Sequence, residues 1–308
     1  MALSKTATFD SFNPVTNEVI ASHEIYSEEA VKAAVDRARA ASLEWRDLGF
    51  RGRRRVLLKW SSDLLANIDS LTELVSLETG KPVSDAKLEA SLAAGHIAWA
   101  ARHAESVMRT SHRSPGLLMA NMSATVERSP VGVVGVIGPW NYPVFTPLGS
   151  IAYALAAGNT VVFKPSEYTP GVGHYLAQSF LDSCMLADIF TCITGLGETG
   201  KFLCESGVDK LAFTGSTRTA KIVAATCASH MTPVVLECGG KDPVIVAHDA
   251  DLKRAADATV WSAFSNAGQT CIGAERVYVD ERVADEFIEK VLEIAKDIHP
   301  GAPGSGKY

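Results

Sequence analysis

Four short apolar runs constrain the fold of this chain more than any other feature. Val131-Gly-Val-Val-Gly-Val-Ile137, Thr160-Val-Val-Phe163, Lys210-Leu-Ala-Phe213 and Pro233-Val-Val-Leu236 lack the in/out alternation of a half-solvated strand. Runs of this kind suit strands buried on both faces of a parallel sheet. Helical stretches read at about 147–157, 172–183 and 216–229 lie between some of them. Strands alternating with helices imply right-handed crossovers and an α/β, doubly wound, mostly parallel sheet of Rossmann-like type, with ligands at the C-terminal ends of its strands. Each run is followed by a polar or glycine-rich motif at the place where that rule expects a site.

Upstream of the sheet the pattern is helical. Residues 8–24 alternate and turn as a small hairpin. Ser27 then caps a helix with Glu28 and Glu29 in its first turn and an apolar stripe at Ala30, Val31, Ala34, Val35 and Ala38. Further helices are predicted at about 50–67, at 69–79 with Gly80 and Pro82 as the stop, and from Val83 to Arg109. A strand at Met122–Glu127 precedes the sheet, and Asp188–Thr194 could form another within it. Downstream come a helix at Leu252–Phe264, a strand at Arg276–Asp280 and a helix at about 283–298. A chain of 308 residues has room for two domains.

Composition excludes several classes of function. The net charge of −6 offers no general attraction to nucleic acid or to an anionic membrane. The basic cluster Arg51, Arg53, Arg54 and Arg55 reads as one side of a helix. The longest apolar region, Val144–Phe163, is broken by Pro147, Gly149, Gly158 and Asn159 and reads as helix, turn and strand, so no membrane span is expected. The N-terminal Met-Ala-Leu-Ser-Lys lacks a signal-peptide core. Six cysteines (184, 192, 204, 227, 238, 271) form no CxxC pair and show no zinc-finger spacing with histidine. Free thiols, a reducing cytoplasmic location and no metal site are therefore expected. His96 and His103 read as a packed or solvated pair.

The motifs carry the chemistry, although each has a bland alternative. In Gly138-Pro-Trp-Asn-Tyr-Pro143 two prolines fix the backbone around Asn141, whose carboxamide can donate toward an oxygen gaining negative charge; a proline-rich turn that happens to hold an Asn is equally compatible. Lys164-Pro-Ser-Glu167 could hold ribose hydroxyls, its carboxylate repelling a 2′-phosphate, or could be an exposed ion pair. Gly195-Leu-Gly-Glu-Thr-Gly200 matches GxGxxG in letters, which alone does not place a pyrophosphate there. Phe213-Thr-Gly-Ser-Thr217 suits either an anion at a helix start or an ordinary Ser cap. Glu237 ends a strand ahead of Gly239 and Gly240, where a carboxylate can activate water or simply be solvated. Cys271, in Asn266-Ala-Gly-Gln-Thr-Cys-Ile272, sits on a loop that can aim a thiol at a ligand, or it fills core space. Gly301-Ala-Pro-Gly-Ser-Gly-Lys307 has P-loop letters, but Tyr308 replaces the magnesium-binding hydroxyl and a helix precedes it, so it reads as a loop.

Taken in order, GPWNYP, KPSE, FTGST, LECGGK and GQTC resemble the NAD(P)-dependent aldehyde dehydrogenase superfamily from about residue 8 to about residue 300. The resemblance implies Cys271 as nucleophile, Glu237 as general base and Asn141 as oxyanion donor, with the Cys271 amide as second donor. It implies that Trp140, Lys164, Glu167, Gly200, Phe213, Gly215 and Ser216 line a dinucleotide, NAD in preference to NADP because of Glu167. It further implies oxidation of a small-molecule aldehyde to an acid through a thiohemiacetal and a thioester. The expected division is a dinucleotide-binding domain over 1–241, with an oligomerisation strand region at 118–132, and the first part of an incomplete α/β thiol domain over 242–308. Full-length members are homo-oligomers that continue beyond this point, so the chain is expected to be a C-terminally truncated member. The alternative left open is a non-catalytic dinucleotide-binding or interaction protein descended from such an enzyme. Two departures stand out: Ala220 where the family usually has glycine, and Cys238 where it usually has leucine.

Overall fold

Strands β1 (Thr8–Phe12) and β2 (Val19–Glu24) form the antiparallel hairpin that the alternation requires. Ser27 then caps helix α1 (Glu28–Asp47), its hydroxyl accepting from the Ala30 N–H at 3.3 Å, which satisfies one of the donors that every helix start leaves free. Helices α2 (Gly49–Ala66), α3 (Ile68–Thr79) and α4 (Val83–Met108) follow. Gly80 stops α3 in the left-handed region, at φ 72°. Strand β4 (Ala124–Val126) falls within the stretch read as a strand, and its antiparallel partner β3 (Ser111–Arg113) was not expected from the sequence. This computed structural model describes residues 7–299 and 301. The N-terminal Met-Ala-Leu-Ser-Lys and the P-loop-like stretch after Gly301 lie outside the described residues.

The sheet is built by β5 (Val133–Ile137), α5 (Phe145–Ala157), β6 (Thr160–Lys164), α6 (Pro170–Cys184), β7 (Phe190–Cys192), α7 (Gly197–Glu205), β8 (Lys210–Gly215), α8 (Thr217–Ser229) and β9 (Val234–Cys238). Its five strands run in the order β7-β6-β5-β8-β9, all parallel. Successive residues of one strand enter opposite cores. Val134, Val136, Val161 and Phe163 join Trp45, Trp60, Ile97, Leu148 and Phe180 on one side. Val133, Val162 and Leu211 join Val31, Val35, Leu203 and Cys227 on the other. This double burial is why the runs of β5, β6 and β8 read as continuously apolar; the fourth run does not share it, because β9 is an edge strand that leaves Val235 and Glu237 exposed.

After β9 come β10 (Asp242–Val246), α9 (Leu252–Phe264), β11 (Ala274–Val279) and α10 (Ala284–Ala295). β10 pairs parallel with β11 and was not expected from the sequence. Pro243 breaks the strand signal, and a two-stranded sheet tolerates it because each strand is an edge. The core here is small: Val246, Ala256 and Phe287. The two histidines of α4 sit against aromatic side chains: His96 Nδ1 lies 3.0 Å from the Tyr153 hydroxyl, and His103 stacks on Trp99. Among the described residues there is no cluster of three or more His, Cys, Asp or Glu that could hold a metal ion, and no helix is long and apolar enough to cross a membrane.

Two carboxylates from the helical layer cap the helices that leave the sheet. Glu89 Oε1 accepts from the Val144 and Phe145 N–H groups at the start of α5, at 2.8 and 3.0 Å. Glu78 accepts from Gly171 and Val172 at the start of α6, at 2.9 and 3.0 Å, where the helix dipole favours an anion. Gly171 leaves room for this contact, since a Cβ there would press on the Glu78 carboxylate and displace it. Burial outweighs the two donors and pushes the Glu78 carboxyl up to about 7. The folded chain therefore holds this proton more tightly than the unfolded chain, whose glutamate titrates at about 4.3. That contribution is complete below the unfolded value and is lost as pH rises through about 7. Glu78→Gln is expected to remove up to about 3 kcal/mol of this pH dependence. Denaturant midpoints of both proteins at about pH 5 and about pH 8 check it.

Candidate active site

Strand order reverses at β5, which has β6 on one side and β8 on the other. A crevice must open beyond the C-terminal ends of those strands, because the chain departs from them in opposite directions. The loops after β5, β6, β8 and β9, the start of α7 and the loop after α9 enclose a cavity of about 980 Å³ there. All ten residues singled out in the sequence line it: Trp140, Asn141, Lys164, Glu167, Gly200, Phe213, Gly215, Ser216, Glu237 and Cys271.

One part of the cavity gathers a buried ammonium, a helix start and glycine-lined backbone. Lys164, at the end of β6, is 4% exposed. Its ammonium donates to the Pro165 carbonyl at 2.9 Å and has two further N–H groups for a ligand. Burial lowers its proton affinity, and the nearby Glu167 pushes it back up. Ser216 caps α8, accepting from the Thr219 N–H at 3.2 Å, so the capping role is realised at a helix start that also faces the cavity. The GxGxxG letters fall at the start of α7, after the edge strand β7 rather than after the central strand. Gly195, at φ 147°, has no room for a Cβ beside Thr199, and Gly197 and Gly200 line the cavity. Ala220 is buried in the core beneath α8.

The other part surrounds the thiol. Cys271 is exposed, whereas Cys192, Cys204 and Cys227 are buried and Cys184 and Cys238 are half-buried. Its loop is held under backbone strain: Asn266 and Ala267 both adopt left-handed φ, 53° and 55°. Such values cost roughly 1 kcal/mol or more for a residue with a Cβ. Bonds from Asn141 and its neighbour offset that cost. Asn141 Nδ2 donates to the Gln269 carbonyl at 2.7 Å, Asn266 Nδ2 donates to the Asn141 carbonyl at 3.1 Å, and the Tyr142 and Thr270 hydroxyls lie 3.1 Å apart. The Gly240 N–H donates to the Cys271 carbonyl at 3.2 Å, tying the turn after Glu237 to the same loop. Glu237 is exposed at the end of β9, paired in register with Thr214.

Sequence reading missed two residues behind this wall, Lys81 and Glu89, which form a buried ion pair at 2.6 Å. A signal was present: Glu89 interrupts the small-apolar stripe Ala86, Ala90, Ala93 of α4, and a carboxylate there must find a partner.

A doubly wound sheet with a crevice at its switch point and an exposed cysteine beside it defines the class: a nucleotide-crevice α/β protein with a loop thiol. The chain belongs to the aldehyde dehydrogenase family, whose sequence model matches residues 2–307. It is 36% identical over 296 residues to a probable succinate-semialdehyde dehydrogenase [NADP(+)] of Sinorhizobium fredii (strain NBRC 101917 / NGR234), covering 95% of this chain and 60% of that protein. It is also 36% identical over 294 residues to the succinate-semialdehyde dehydrogenase [NADP(+)] GabD of Escherichia coli (strain K12), with the same coverage. Among solved structures, an NAD-dependent aldehyde dehydrogenase from Sinorhizobium meliloti superposes with a TM-score of 0.92 at 34% identity, covering 96% of this chain and 60% of that one. The chain thus spans about 60% of the length of the curated relatives it matches.

Proposed function

We propose that this chain carries the cysteine chemistry of an aldehyde oxidation. The observation that supports it is the convergence of Cys271, Glu237 and Asn141, far apart in sequence, on one cavity that also holds the phosphate-type groups. In this reading Cys271 Sγ attacks the aldehyde carbonyl, and the Asn141 carboxamide with the Cys271 N–H stabilises the resulting oxyanion. Lys164, Gly200, Gly215, Ser216 and the Trp140 and Phe213 rings would hold a nicotinamide dinucleotide, which when bound would supply a hydride acceptor; loss of that hydride from the thiohemiacetal carbon turns the Cys271 adduct into an acyl thioester. Glu237 then takes a proton from water, which attacks the thioester and releases the acid.

The cofactor is NAD in this reading, because a Glu167 carboxylate at the ribose position repels a 2′-phosphate. The NADP(+) in the names of two relatives favours NADP as the alternative cofactor. Glu167→Gln is expected to raise the NADP to NAD ratio of kcat/KM by roughly tenfold, about 1.4 kcal/mol of relieved repulsion; an unchanged ratio rules out this role for Glu167. We place the division between the dinucleotide unit and the thiol unit after Lys241. We also assign 118–132 to assembly of the whole protein; Leu117 just before it and Leu118 at its start are almost fully exposed. The test of the reaction is reduced-nicotinamide absorbance with a panel of aldehydes that includes succinate semialdehyde. Absence of any aldehyde-dependent signal from the folded chain defeats the reading.

A further inference from the structure

We propose that Lys81 and Glu89, which do not line the cavity, are positioning residues for the reaction at Cys271 and act through the main chain of Asn141. This inference rests on the reading of Asn141 as an oxyanion donor.

The geometry fixes the ammonium on several sides. Lys81 Nζ donates to Glu89 Oε2 at 2.6 Å and to the Asn141 carbonyl at 2.7 Å, and it lies 4.3 Å from the centroid of the Tyr142 ring. Both side chains are almost wholly buried, 4% and 1% exposed. Well-packed apolar residues often replace such pairs at no cost in stability, so stability is a weak account of its presence here. Its placement points elsewhere. Lys81 holds one end of the segment 141–145, at the Asn141 carbonyl, while Glu89 holds the other, through the Val144 and Phe145 N–H groups. Between those anchors the Asn141 carboxamide and the Tyr142 hydroxyl reach across to Gln269 and Thr270 on the thiol loop. The pair therefore sets where Asn141 stands relative to the sulfur. A shift of about 1 Å in such a group can cost on the order of 100-fold in rate.

Two thiol reactions separate positioning from general damage. With p-nitrophenyl acetate, Cys271 Sγ attacks the acetyl carbonyl through a tetrahedral oxyanion; the C–S bond forms, the C–O bond breaks to release p-nitrophenolate, and the thiol proton goes to solvent. With iodoacetamide the sulfur displaces iodide at a methylene carbon and no oxyanion forms. Peptide mapping assigns both labels to Cys271. Lys81→Met strands a buried carboxylate, so the double variant Lys81→Met/Glu89→Gln, neutral at both positions, carries the same test. Acylation is expected to slow by about 10- to 100-fold in both variants, with alkylation within about twofold of the parent. In an Asn141→Ala background the double substitution is expected to cost nothing further, since the group it positions is gone. Equal loss in the two reactions, unchanged acylation, or a full additional loss in that background overturns the proposal. Parent acylation no faster than that of free cysteine overturns it together with the functional reading. Fast acylation without aldehyde oxidation defeats only the assigned reaction and leaves the rate ratio to decide the role of Lys81 and Glu89.

Discussion

Cys271→Ala is expected to lower aldehyde-dependent reduction of the nicotinamide by at least roughly 10,000-fold, because the covalent path disappears with the sulfur. Alanine keeps the small volume at an exposed loop position, so the melting temperature is expected to stay within a few degrees. Cofactor affinity is expected to be unchanged, since the groups assigned to the dinucleotide lie on the loops after β5, β6 and β8 and at the start of α7. A stopped-flow trace with parent and variant at equal, saturating cofactor is the measurement. Equal rates would remove the thiol from the reaction, and a parallel loss of cofactor binding would show that the substitution had damaged the crevice instead.

Glu237→Gln tests the second half of the same chemistry and separates the two steps. In the proposed chemistry, thiol attack and hydride loss do not need this carboxylate, whereas water attack on the thioester does. The variant is expected to release about one equivalent of reduced cofactor per chain in a first burst and then to turn over roughly 100- to 10,000-fold more slowly, the range for loss of a general base. The acyl group should be recoverable as a mass increase on the peptide that contains Cys271. A burst with undiminished steady turnover would assign the base elsewhere. Loss of the burst itself would give Glu237 an earlier role than water activation.

How much of this was legible in the sequence depends on how local the signal is. Strands β5, β6 and β8 of the main sheet were legible because burial on both faces removes polar residues from a short continuous window. The cap at Ser27 and the stop at Gly80 were legible because each is decided within one helical turn. Strand β10 was not, since Pro243 argues against a strand and only the edge pairing with β11 makes it permissible. The left-handed backbone at Ala267 left no trace either: alanine carries no turn preference, and the conformation is imposed by bonds to Asn141, 125 residues upstream of Asn266. Lys81 and Glu89 were overlooked for a related reason. Each is the other's charge partner only eight positions away, but what gives the pair a bearing on the site is the Asn141 carbonyl, 60 positions from the lysine.

The order of groups along the chain sets the order in which a growing polypeptide acquires them. Lys81 and Glu89 leave the ribosome first, then Asn141 and Tyr142, then the strands that carry Lys164, Ser216 and Glu237, and the thiol only after all of these. The main sheet can close around its two cores before residue 271 is translated, since none of its five strands lies beyond Cys238. The sulfur can therefore emerge beside a wall already standing, where Asn141 and Tyr142 are in place to hold its strained loop.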